Sequence, residues 1–150
     1  PYTIVRPSAL YGERCVSRRV GQVFIENAVQ GNRINVKGTG FEKLDFTYIN
    51  DLVDGIILIL ENENSKMETF NLTYGKSHSI NQMLEILQKC FAKIDIIYST
   101  KDKFTPSRGT LSVDKARKIL GYEPKYNLDL GYTKYINWYR KFWESLEKKY

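Results

Sequence analysis

Cysteine and histidine are nearly absent from this chain of 150 residues: Cys15 and Cys90 lie far apart, and His78 is the only histidine. Two distant thiols give neither a disulfide framework nor a Cys-x-x-Cys metal motif, and one imidazole does not complete a zinc site. A reducing, cytoplasmic setting is expected. No stretch approaches the roughly 18–20 consecutive apolar residues of a membrane span, and no charged leader with an apolar core precedes a small-residue cleavage site, so no membrane role is expected. Runs of one charge are also missing. The formal net charge is +6, yet acids interleave with the bases and no five Lys or Arg residues stand together, which argues against nucleic acid as the partner. A positive balance of this kind favours small phosphate-bearing partners, with most of the charges solvated.

Self-contained catalytic motifs are missing as well. No serine sits in a Gly-x-Ser-x-Gly elbow, which removes the simplest hydrolase reading. No tyrosine is followed four residues later by lysine, the spacing that sets a phenol and an ammonium on one helical face for proton and hydride transfer. Gly38-Thr39-Gly40 has the start of a dinucleotide loop, but Lys43 stands where a third glycine belongs and a strand pattern follows, whereas a pyrophosphate needs a helix N-terminus. It reads as a turn.

What is present suffices for one compact unit: 42% of residues are apolar and 13% aromatic. The chain opens on Pro1 with an apolar run, Tyr2–Val5, already under way, so a start inside a larger fold is expected. That run suits a buried parallel strand. Val20, Val23, Phe24 and Ala28 recur at helical spacing, with Gly31 as the stop. Ile34–Val36 is a brief strand, and Leu44–Ile49 a longer one rich in Phe, Thr, Tyr and Ile. Asp51 then caps a helix whose stripe is Leu52, Val53, Ile56, Ile57 and Leu60. Phe70–Leu72 is a strand, and Ser79 with Gln82 makes a capping box before a helix that buries Cys90. Ile94–Tyr98 returns to a strand pattern. Ser112 starts a short helix ending at Gly121, with Pro124 beyond it. The last helix carries Leu128, Tyr132, Tyr135, Ile136, Tyr139, Phe142, Trp143 and Leu146 on one face, and that stripe needs a partner surface. Strands separated by helices throughout imply an α/β architecture.

Three ordered segments resemble one family. Arg6-Pro7-Ser8-Ala9-Leu10-Tyr11-Gly12 is similar to its Arg-Pro-x-x-x-Tyr-Gly segment, and Asp45-Phe46-Thr47-Tyr48-Ile49-Asn50-Asp51-Leu52-Val53 to its Asp-Phe-Thr-Tyr-Val-x-Asp-Val-Val. Ser112-Val113-Asp114-Lys115-Ala116, leading to Leu120-Gly121-Tyr122-Glu123-Pro124, resembles Asp-x-Ser-Lys-Ala…Leu-Gly-Tyr-x-Pro, and Pro106-Ser107-Arg108 precedes it. The family is that of the NAD(P)-dependent nucleotide-sugar epimerases and dehydratases, within the extended short-chain dehydrogenase/reductase superfamily. The resemblance implies the C-terminal part of that α/β fold: the last strands and helices of a Rossmann sheet, interleaved with a small α/β substrate-binding domain.

The implied partners are a nucleotide-diphospho-sugar, NAD or NADP held mainly by an N-terminal Rossmann half, that half itself, and a possible homodimer. Residues 1–12, 45–60 and 70–91 are expected to pack with the Rossmann half, so that residues 1–150 form the substrate-binding portion and are inactive alone. Pro7 and Ser8 fall at the border of cofactor and substrate. Asn35 and Lys37 match a strand bordering the nucleotide, and Arg108 matches an arginine placed on the diphosphate, where a planar fork donates two charge-assisted bonds. Leu44 departs from a family arginine that also meets phosphate, and Lys43 is its candidate replacement. Ala9 departs from an asparagine that touches substrate in many epimerases. The other reading is a non-catalytic module for an anionic ligand or a protein, built on the same fold.

Overall fold

The computed structural model describes residues 1–101 and 108–147; Pro106 and Ser107 of the third motif lie outside the described residues. Its elements in chain order are β1 (Ile4–Arg6), β2 (Leu10–Tyr11), α1 (Val20–Val29), β3 (Ile34–Lys37), β4 (Lys43–Leu44), β5 (Thr47–Tyr48) and α2 (Ile49–Glu61). After a 3-10 turn at Glu63–Ser65 follow β6 (Thr69–Asn71), β7 (His78–Ser79), α3 (Ile80–Cys90), β8 (Ile96–Ser99), α4 (Asp114–Leu120) and α5 (Leu128–Glu147). The strands form four pairs. β1 with β6, β2 with β5 and β3 with β8 are parallel; β4 with β7 is antiparallel.

Local chemistry explains most boundaries. Ser79 accepts from the Gln82 amide while the Gln82 side chain accepts from the Ser79 amide, the reciprocal box that starts α3. Gly121 ends α4 in the left-handed region, φ 68°, and its amide reaches the Arg117 carbonyl at 3.0 Å. At Gly55 the constraint is approach rather than φ: a Cβ there would lie 2.7 Å from Leu72, so α2 could not sit as close to the strand end.

Burial divides the molecule into two clusters. The larger gathers α1, α3 and α5 over β3 and β5, with Phe24, Ile25, Met83, Leu87, Tyr132, Tyr135 and Ile136 at its centre. The smaller lies between α2, β6 and α4, around Leu52, Ile59, Phe70, Leu72, Ala116 and Tyr122. The α5 stripe finds its partner surface as far as Tyr139, whereas Phe142 and Leu146 stay exposed. Cys90 is half-buried and packs against the larger cluster.

Two expectations change. Leu44–Ile49 is two short strands, because Asp45 and Phe46 turn into the interior between them and Ile49 already opens α2. Asp51 does not cap its own helix. Its carboxylate accepts the amides of Lys125 at 2.7 Å and Tyr126 at 3.1 Å, tying α2 to the segment between α4 and α5. The α2 stripe is only half covered: Leu52 is buried, while Val53, Ile56, Ile57 and Leu60 are 38–79% exposed.

Candidate functional site

Parallel strands in an open α/β fold present ligands at their carboxyl ends. Pro7 and Ser8 follow β1 directly, at the same end as Leu72 and Thr73 after β6, and the Leu72 amide bonds back to the Arg6 carbonyl at 3.3 Å. The Ala9 carbonyl accepts from Thr47 at 3.4 Å, which brings the Asp45–Thr47 stretch alongside.

Asp45 organises this end of the molecule. It is fully buried, and its two oxygens accept the Gly75 amide at 3.1 Å and the Leu111 amide at 3.2 Å. A buried carboxylate is tolerated when such bonds satisfy it, and removing it would orphan two amides. The same segments meet again where the Ser77 amide donates to Thr110 Oγ1 at 3.1 Å and Asn71 Nδ2 to the Ser112 carbonyl at 2.8 Å. Arg108 stands exposed two residues before Thr110, in the segment that this lacing holds.

The other expected residues divide. Lys43 is exposed on β4, opposite Ser79, next to the 75–78 turn that holds the Arg108 segment. Side chains alternate along a strand, so Lys43 faces away from Leu44 and from its cross-strand partner His78. Asn35 and Lys37 share the solvent face of β3, with Ile34 and Val36 buried beneath. Asn35 Oδ1 accepts from Ser99 Oγ at 2.8 Å. Their sheet is a separate pair, joined to the first turn of α3 through Gly40, whose carbonyl accepts the Asn81 amide at 2.9 Å.

Gly38 and Gly40 both have positive φ, 101° and 78°, and form the expected turn. Glu42 fills it: the Thr39 amide donates to Glu42 Oε1 at 3.3 Å, and backbone bonds hold the carboxyl below its usual range. A loop already closed on its own carboxylate does not fit a dinucleotide pyrophosphate. A group of at least three His, Cys, Asp or Glu side chains able to hold a metal is absent among the described residues. None of the described helices is long and apolar enough to cross a membrane.

The sequence motif contains Asp45 without giving it a role, and Thr110 falls outside the residues the motifs single out. Burial of an acid beside Phe46 inside an otherwise apolar motif was the available signal for Asp45; nothing local announces Thr110. Glu13 was missed too. It accepts the Tyr48 hydroxyl on both oxygens at 2.6 Å, fixing the loop after β2 to the start of α2, and burial followed by this carboxylate pushes the Tyr48 phenol far up.

Comparison with known proteins gives the fold its class. An epimerase from Methanothermobacter thermautotrophicus superposes with a TM-score of 0.89 at 26% identity, covering 96% of this chain and 44% of that one. UDP-glucose 4-epimerase from Thermotoga maritima, solved with UDP-glucose, gives 0.85 at 27% identity, covering 95% of this chain and 47% of that one. The architecture is therefore that of the C-terminal portion of the extended short-chain dehydrogenase fold. The sequence profile of the NAD dependent epimerase/dehydratase family matches residues 1–73 of this chain. UDP-glucuronate 4-epimerase of Thermodesulfobacterium geofontis is 32% identical over 117 residues, 77% of this chain and 36% of that protein. UDP-glucuronic acid decarboxylase 1 of Xenopus tropicalis is 31% identical over 124 residues, 82% of this chain and 29% of that protein. The chain thus spans about a third of the length of these curated relatives.

Proposed function

We propose that these residues form the nucleotide-sugar-binding portion of an NAD-dependent epimerase or dehydratase, acting with a Rossmann half that supplies most of the dinucleotide site. The observation that carries this reading is the pair of hydrogen bonds that buried Asp45 accepts from the Gly75 and Leu111 amides, which draws the Arg108 segment towards the strand ends bearing Pro7 and Ser8. Arg108 donates to the diphosphate, Lys43 adds a nearby positive field, and Asn35 with Lys37 borders the nucleotide. Pro7 and Ser8 line the boundary where sugar carbon and nicotinamide meet. NAD supplies reversible hydride transfer; the residues here bind and orient the sugar, which is a large share of such catalysis.

Two features support a partner half. β1 has β6 on one edge and no strand on the other among the described residues, and Tyr2, Ile4, Ile56 and Leu60 leave apolar surface beside it. Of the stretches expected to meet that half, 1–12 and 45–60 carry this surface. Within 70–91, Phe70 lies in the smaller cluster and α3 faces α1 and α5.

Titration of this chain with UDP-, GDP- and dTDP-sugars tests the binding. At least one is expected to bind, and Arg108→Ala to weaken it roughly 10- to 100-fold, as loss of charge-assisted bonds does. Turnover of a bound sugar with NAD by the complete polypeptide containing these residues extends the reading to catalysis. Absence of binding across the panel leaves the non-catalytic module.

A further inference from the structure

The turn Lys76–His78 lies beside the Arg108 segment, and three observations single it out. Its backbone is fixed at both ends, by the Gly75 amide on Asp45 and the Ser77 amide on Thr110 Oγ1. The β4–β7 register sets His78 directly opposite Leu44, and directly opposed residues share a face of a sheet. On that face Leu44 brings no charge and Lys43 is turned away, so the imidazole is the polar group the pair offers. Finally, Nδ1 of His78 is buried with no hydrogen bond of good geometry, only a weak one to the Lys76 backbone, so the protein holds the ring incompletely. The neighbouring N-terminus of α3 is not itself available to an anion. The amides of Ile80, Asn81 and Gln82 are already bonded to the Glu42 carbonyl, the Gly40 carbonyl and Ser79 Oγ.

We propose that Lys76 and His78, together with Arg108, form the cationic cradle for the diphosphate of the nucleotide-sugar; this rests on the binding function argued above. Lys76 supplies a fixed charge at the rim. His78 supplies a conditional one. Burial, then the Lys76 ammonium, holds its pKa below the ordinary histidine value, while the bond to the Lys76 backbone, then Asp129 of α5 and Asp45, pull upward too weakly to reverse this. The Tyr74 ring packs 6.3 Å away, centroid to centroid. A diphosphate beside the ring adds negative charge that favours the imidazolium, so binding draws a proton onto His78.

His78 being the only histidine, its imidazole gives one set of resonances in the unmodified chain. The experiment follows these by NMR against pH, alone and with saturating inorganic pyrophosphate or UDP-glucose, whose diphosphate diester does not titrate near neutrality. An upward shift of about one pH unit in the imidazole midpoint is expected, equivalent to a tenfold preference of the anion for the protonated chain. Lys76→Ala should weaken pyrophosphate binding, and His78→Gln should remove the pH dependence of UDP-glucose affinity. Binding that Arg108→Ala weakens, with the His78 midpoint unmoved, overturns the role of His78 and leaves the nucleotide-sugar reading standing. Failure of both probes to bind overturns the cradle, and failure across the whole sugar panel overturns the reading beneath it.

Discussion

The two clusters of this chain are built from helices that look alike in sequence and end differently. α5 and α2 each carry an apolar stripe at three- and four-residue steps. The α5 stripe is enclosed by α1 and α3, with Tyr132, Tyr135 and Ile136 almost wholly removed from water. The α2 stripe meets β6 and α4 on one side only and leaves four large aliphatic side chains in solvent. Periodicity therefore reports that a face is apolar, and says nothing about whether the residues that cover it lie in the same stretch of chain. The closed cluster explains how these residues hold a shape; the open one shows where they would meet something else.

Breaking the closed side should have the largest effect. Tyr132→Ala removes a fully buried ring whose hydroxyl donates to the Gly21 carbonyl at 2.8 Å, and is expected to cost about 3–5 kcal/mol in urea unfolding. Next comes the tie between the clusters. Asp51→Ala orphans the Lys125 and Tyr126 amides and should destabilise by about 1–3 kcal/mol, read as a lower urea midpoint.

Acid titration sharpens the contrast, because the two sides respond with opposite sign. Burial raises the Glu26 pKa, but bonds from Arg18, Gln22 and Tyr139 outweigh it and hold the carboxyl below its usual value of 4.5. A depressed folded pKa gives stability that is full above 4.5 and lost as pH falls through the folded value. At Asp51, burial outweighs the two amides and raises the pKa above 3.8, so its contribution is best in acid and declines as pH rises through that window. Melting curves from pH 6 to about pH 3 should show Glu26→Gln flattening the acid loss and Asp51→Asn steepening it. The smallest effect on stability belongs to the open face. Ile56→Ser with Leu60→Ser should change unfolding free energy by less than about 0.5 kcal/mol, while sedimentation velocity shows less self-association. A large loss of stability there would mean that the face is already covered.

Much of this was legible in the residues. Ser79 with Gln82, Gly31 and Gly121 marked helix limits through chemistry that operates within a few positions, and the structure repeats them. Helix grouping was harder to read. α3 packs with α1 and α5, and α4 lies under α2, a division set by long-range contacts that no local pattern encodes. Asp51 shows the limit most plainly: Asp in a first turn suggests a cap, yet its partners come from 74 and 75 positions further on. For the candidate site the family resemblance supplied Pro7, Ser8, Lys43 and Arg108 as expected residues. The lacing through Asp45, Ser77 and Thr110 that positions Arg108 depends on backbone amides, which carry no sequence signature.

The bonds that close the larger cluster also set a schedule for making the protein. Tyr132 reaches back 111 positions to Gly21, and Tyr139 reaches back 113 to Glu26. On a ribosome adding about 5–20 residues per second, α1 and α3 emerge and wait, on the order of ten seconds for α1, before α5 arrives to cover them. During that interval their apolar faces are open to chaperones and to one another. A message cut short before Leu128 would release a product lacking the helix that encloses the apolar faces of α1 and α3.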